Sequence, residues 1–313
     1  MSNSDSRDVY HDFGLLGLNM LPEITAPRGS RGRRAVFNAM RKFYAADGHK
    51  SESASRIIKA RFEVNQRYGI PMTDIEHFDL SISFGLLANA APTSFWLVYY
   101  LYSNPKLLSE VRTSISSALG LKQDGARDGK AIVVNIPEVA AKVPLLASFI
   151  SEVLRVQSVN ASARVVREDT ILDGRYLLKR NSFIFIPSAE LHKNQRAWGP
   201  SAASFDPYRF LAQKRQGDTK GNRIPVSAHR SWGGGVNLCP GRHFAMNELL
   251  SLLIVMVMKY DVSPVSGTWE EPETKVHVMA SIMEPAKDVQ VRIRCSTDIN
   301  FEFIWQPDTS AGQ

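Results

Sequence analysis

Residues 231–248 read Ser231-Trp-Gly-Gly-Gly-Val-Asn-Leu-Cys239-Pro-Gly-Arg-His-Phe-Ala-Met-Asn-Glu248. Three consecutive glycines let the backbone turn sharply and approach a ligand closely. Cys239 follows four residues after the last of them. Pro240 suits the first position of a helix, where its missing N–H costs nothing. Beyond Gly241 the apolar residues Phe244, Ala245, Leu249 and Leu250 take helical spacing. Cys239 is therefore expected at the mouth of a helix, where unpaired N–H groups and the dipole favour a negative sulfur, the form that binds metal.

Three readings compete. A glycine-rich turn beside a buried structural thiol is the ordinary case for a lone cysteine. A phosphate loop would need a Gly-Lys-Ser/Thr ending, which is absent. The third reading is a loop whose cysteine ligates haem iron axially. The stretch resembles the haem-ligand loop of the cytochrome P450 superfamily. Trp232, Gly235, Cys239 and Gly241 fill four of its places, and Asn237 stands where that family carries a basic residue.

Further matches occur in family order. Residues 145–156 read as a helix bearing Glu152 and Arg155, three apart and able to pair on one face. Glu-X-X-Arg at this place is the family's second hallmark. Arg209, in Phe-Asp-Pro-Tyr-Arg-Phe, is its third member. Two arginines can hold one carboxylate through charge-assisted hydrogen bonds, and in the family this cluster braces the structure without doing chemistry. Arg164 occupies the position that the resemblance assigns to a haem propionate, although an exposed strand arginine is the plain alternative. His192 and Trp198 also fall in a family-like stretch, but no ligand spacing makes His192 a metal ligand.

Residues 80–105 carry no charge. Their length would allow a membrane span, but scattered Ser, Thr and Asn favour a helix buried on every side of a soluble domain. Pro92 should kink it and free a carbonyl. Asn89 and Thr93, four apart, share a face. The run 88–96 resembles the helix over the haem in the branch containing sterol 7-hydroxylases and prostacyclin synthase. Pro92 replaces the usual acid, so Thr93 and Ser94 are alternative relay hydroxyls; both equally suit bonding back to the preceding turn.

The remaining expectations concern organisation. The 313 residues are 44% hydrophobic, ample for a large core. Cys239 and Cys295 are the two cysteines and form no disulfide framework; Cys295 reads as structural. The net charge of +7 and pI near 9.4 suit a membrane or acidic partner. Nucleic acid is excluded, because no dense basic block interleaves with aromatics. Residues 13–22 are apolar and too short to span a bilayer. With Arg28, Arg31, Arg33 and Arg34 beyond them, they suit an anionic membrane surface or a solvated turn. Helices are expected over 35–46 and 53–68, and a polar loop over 122–130. Strands are expected over 162–166, 176–178 and 182–186, with a turn at Asp173-Gly174. Another helix should run from Cys239 to about Lys259, and a hairpin over 276–293 should turn at Glu284-Pro285.

Together these imply a mainly α fold with small β-sheets, the cytochrome P450 fold lacking its N-terminal part, with residues 1–313 forming a single partial haem domain. The resemblance implies haem b on Cys239, electrons from NADPH through cytochrome P450 reductase, and a lipophilic substrate such as a sterol or terpenoid. It also implies the endoplasmic reticulum membrane, although the family's N-terminal anchor is not seen in this chain. The implied activity is monooxygenation. A haem-thiolate isomerase and a non-catalytic haem-binding fragment are the alternatives.

Overall fold

The computed structural model describes residues 8–18, 20–121, 131–211, 224–276, 280–297 and 299–304. The fold is mainly α with small sheets, in two compact units, residues 1–89 and 90–313. The loop expected at 122–130 lies outside the described residues.

The first unit contains α1 (Phe13–Leu18), α2 (Pro22–Thr25), α3 (Pro27–Ala45), α4 (Arg56–Arg67) and the start of α5 (Met72–Tyr102). Prolines open α2 and α3, where a missing N–H is harmless. Ser55 caps α4 by accepting from the Ile58 N–H. Helix α3 starts eight residues earlier than expected and takes Arg28–Arg34 into its first turns. The proline start outweighs the weak apolar periodicity there. Val9, Leu16 and Ala26 form a small core with Phe84. Beside the C-terminal end of α3, Tyr44 donates to buried Asp79, which also accepts from the Arg61 guanidinium at 3.2 Å.

Helix α5 runs through Pro92 without interruption and begins eight residues before the charge-free stretch. The expectation of burial on every side fails, because Leu87 is 64% exposed. By length and composition alone the helix could cross a membrane. Its C-terminal part, however, is core of the second unit: Trp96, Leu97 and Leu101 are fully buried, and the Trp96 Nε1–H donates to the Met283 carbonyl at 2.7 Å.

Around that part pack α6 (Pro105–Ala118), α7 (Ile136–Lys142), α8 (Pro144–Gln157) and α11 (Arg242–Lys259). Between α8 and α11 lie the short helices α9 (Ser188–His192) and α10 (Gln195–Trp198). Val111, Ile115, Phe149, Val153, Leu253 and Val257 fill the centre at zero exposure. The sheets among the described residues are all two-stranded. β1 (Ile132–Asn135) runs parallel to β10 (Phe301–Ile304). β2 (Ala161–Val165) pairs antiparallel with β5 (Phe183–Pro187), close to the expected bounds. β3 (Thr170–Leu172) and β4 (Tyr176–Leu178) form a hairpin joined by residues 173–175, in which Asp173 and Gly174 take φ of 53° and 65° and the Arg175 N–H donates to the Leu172 carbonyl at 3.1 Å.

Among the described residues the strands of the expected C-terminal hairpin do not pair with each other. β8 (Glu284–Pro285), the supposed turn, pairs with β7 (Thr274–Lys275), and β9 (Val291–Cys295) pairs with β6 (Tyr260–Pro264). Strand β6 continues directly from α11 with Val262 buried, so it offers β9 an anchored edge. Residues 277–279 of the expected hairpin lie outside the described residues. Cys295 is exposed on β9, its thiol donating to the Thr297 carbonyl.

Candidate functional site

The loop before α11 is closed by its own backbone. The Cys239 N–H donates to the Trp232 carbonyl at 2.8 Å, and the Gly233 N–H to the Arg230 carbonyl at 2.9 Å. Gly233 and Gly235 adopt φ of 77° and 63°, which favour glycine. At Gly234 a Cβ would occupy the place of the Arg230 guanidinium, which would have to swing aside. Trp232 packs against the main core.

Helix α11 begins at Arg242 with Gly241 as its N-cap, two residues later than Pro240 was expected to start it. Cys239 thus precedes the helix mouth, and a Cβ added at Gly241 would lie 3.9 Å from its sulfur. The Arg242 Nη1 donates back to the Cys239 carbonyl at 3.0 Å. Cys239 is half-buried, while Val236, Leu238 and Phe244 around it are exposed apolar side chains, Val236 at 98%. Asn237 is exposed.

This setting fits a flat apolar group with its own metal. Among the described residues no three His, Cys, Asp or Glu side chains gather as metal ligands. A tetrahedral zinc site would need such company. A macrocyclic iron needs a single cysteine sulfur and apolar contacts, and the residues of the loop fit that need.

The structure brings Glu152, Arg155 and Arg209 together. Glu152 is fully buried and Arg155 is 1% exposed. Arg155 meets the Glu152 carboxylate through Nε and Nη2, both at 2.8 Å. Arg209 Nε donates to both carboxylate oxygens at 3.0 and 3.2 Å, and the Asp206 N–H adds a bond at 2.9 Å. Two cations thus share one anion. Backbone carbonyls take the excess: Arg155 donates to His192, Ala202 and Ser204, and Arg209 to Ser201 and Ser204. The Arg155 guanidinium also lies 5.1 Å from the Trp198 ring centroid.

His192 was assigned no role from sequence. It is 1% exposed and both ring nitrogens are used. Nδ1–H donates to the Arg155 carbonyl at 2.8 Å, and Nε2 accepts the Arg230 N–H at 2.9 Å. No sequence signal marks this, because both partners are main-chain groups. Burial first, and the nearby His229, push the His192 pKa down to about 4 from 6.5. The fold therefore holds it neutral. Above pH 6.5 its contribution to stability is complete; as pH falls toward 4 the unfolded chain protonates first and that contribution is lost. Arg155, Glu152 and His229 are the charged or titratable groups around it. Urea unfolding between pH 7 and 4 should lose on the order of 3 kcal/mol through His192, beside the share of His229, which burial also pushes down to about 4; His192→Gln should lose the smaller amount. An equal pH slope in the variant would contradict the assignment.

The other sequence-predicted residues are more scattered. Arg164 lies exposed on β2, its Nη1 donating to the Ala163 carbonyl, with no salt bridge among the described residues. Thr93 is buried at 2% and Ser94 is half-buried. Pro92, also buried, has no N–H to offer the Ala88 carbonyl one turn back. Asn89 is the last residue of the first unit.

Helices with small two-stranded sheets, a glycine-rich cysteine loop and a buried Glu-Arg-Arg cluster describe one class of haem protein. The chain belongs to the cytochrome P450 family: residues 37–292 match it. It is similar to the cytochrome P450 monooxygenase nodJ of Hypoxylon pulicicidum, 35% identical over 92% of this chain and 56% of that protein. It is also similar to the 25-hydroxycholesterol 7-alpha-hydroxylase of Rattus norvegicus, 28% identical over 78% of this chain and 59% of the relative. The human 7-alpha-hydroxycholest-4-en-3-one 12-alpha-hydroxylase matches at 25% over 78% and 50%. The chain thus spans between half and three-fifths of the length of these three relatives.

Proposed function

We propose that the chain is a partial haem domain of a monooxygenase that oxidises a lipophilic small molecule, with Cys239 as the axial ligand of haem b. The observation carrying this is the self-closed Cys239 loop with its exposed apolar border, in a chain of the family. The haem would supply oxygen activation. Trp232, Gly235, Asn237 and Gly241 frame the ligand loop, and Arg164, with its guanidinium exposed, suits a propionate carboxylate. Thr93 or Ser94, with Asn89 one turn before Thr93 on the same helix, would hold and pass protons. Electrons would come from NADPH through cytochrome P450 reductase. Supported by the relatives named as sterol hydroxylases, the substrate class is a sterol, terpenoid or similar lipid.

The test is turnover with that reductase. Product should form only with NADPH and oxygen, and turnover without NADPH would sink the reading. It would favour the second one, an isomerase of the prostacyclin synthase type, for which the replacement of the relay acid by buried Pro92 speaks.

The membrane reading concerns the first unit. Leu18, Met20, Leu21 and Ile24 are each at least 66% exposed, next in sequence to Arg28, Arg31, Arg33 and Arg34. Apolar side chains beside arginines suit an anionic bilayer, at about 1 kcal/mol per basic residue near the surface. This would fit the endoplasmic reticulum membrane. Leu21→Asp combined with Ile24→Asp should weaken binding to phosphatidylserine vesicles about tenfold or more. Unchanged sedimentation with vesicles would reject the contact.

A further inference from the structure

We propose that His192 is the positioning residue that ties the Glu152–Arg155–Arg209 brace to the cysteine loop. The path is short. Arg155 Nη1 donates to the His192 carbonyl at 2.6 Å, and His192 Nδ1–H returns a bond to the Arg155 carbonyl at 2.8 Å. This double tie fixes the imidazole and sets its tautomer. Nε2 is then the acceptor, and it takes the Arg230 N–H at 2.9 Å.

Arg230 is the foundation of the loop. Its carbonyl accepts the Gly233 N–H and, at 3.3 Å, the Asn160 Nδ2–H. Asn160 is held in turn by the Ser188 hydroxyl, four residues before His192. The Arg230 side chain lies against Gly234 and donates through Nε to the Ser227 carbonyl. Its N–H and its carbonyl are thus both fixed immediately before the glycines turn. From there, main-chain hydrogen bonds reach the Cys239 N–H by way of Trp232. A brace that acted only by filling space would not need a neutral imidazole with one donor and one acceptor aimed at two backbone groups.

The meaning for iron ligation rests on the reading of Cys239 given above; the relay itself does not. The experiment is amide hydrogen exchange on the full chain, resolved to single residues by fragmentation, in His192→Gln, His192→Asn and His192→Ala. Glutamine can place an oxygen where Nε2 accepts, whereas asparagine replaces only the Nδ1 donor. Losing one neutral hydrogen bond should speed exchange of the Arg230 and Cys239 amides about tenfold in the Ala and Asn variants, with Gln within about threefold of the natural chain. Amides of Pro144–Gln157 should stay unchanged in all three. Equal exchange in Gln and Asn, or no acceleration in Ala, overturns the proposal. So does uniform loss of protection across both segments, which would make His192 a packing residue. Should haem fail to bind while the exchange pattern holds, the Cys239 reading falls and the relay stands.

Discussion

Replacing Cys239 with alanine should abolish the carbon monoxide difference spectrum of thiolate-ligated haem, while Cys295→Ala leaves it intact. The two cysteines are separated by environment. Cys239 is half-buried in a loop closed by the Cys239 N–H to Trp232 carbonyl bond. Cys295 is exposed on an edge of β9, its thiol engaged with Thr297. The loop's closing bonds are main-chain, so Cys239→Ala should retain its far-ultraviolet circular dichroism. The spectrum is measured after reduction of haem-loaded protein, using this chain alone and this chain preceded by the N-terminal part of its fungal relative. A thiolate band surviving in Cys239→Ala, or vanishing in Cys295→Ala, would reverse the assignment.

The second large effect is thermodynamic. Arg155→Ala should cost roughly 3–5 kcal/mol, because it leaves a buried carboxylate short of a partner and strips donors from three carbonyls. Total stabilities of about 5–15 kcal/mol make that most of the fold's margin. Arg155→Lys should recover only part, since an ammonium lacks the two-pronged geometry that meets Glu152. The control is Lys142→Ala, whose partner Glu138 lies in solvent and whose pair is worth below about 1 kcal/mol. Urea midpoints decide it: equal losses in Arg155→Ala and Lys142→Ala would refute the brace.

Much of this architecture was legible because side-chain chemistry carried it. Glu152 and Arg155 sit at helical spacing, and the triple glycine before Cys239 announced a tight turn. Strands β2, β4 and β5 and the Asp173-Gly174 turn followed from short apolar runs and turn chemistry, whereas β3 was not expected. Long-range pairing was not legible. Nothing local says that β9 should choose β6 over its neighbour in sequence; the anchored edge that α11 provides decides it. The role of His192 was hidden for a related reason, since it reads two main-chain groups brought together only by folding. The start of α11 was misplaced by two residues because Pro240 suits a turn as well as a helix.

The burial of the Glu152–Arg155–Arg209 cluster has a consequence for ionic strength. Mobile ions screen charges they can approach, over roughly 10 Å at 0.1 M salt. Glu152 and Arg155 lie beyond their reach, at 0% and 1% exposure. Salt should therefore loosen pairs such as Lys142 with Glu138, and soften the mutual repulsion behind the net charge of +7, without loosening the brace. The interior of this basic chain is in effect electrically insulated from the buffer in which it is dissolved.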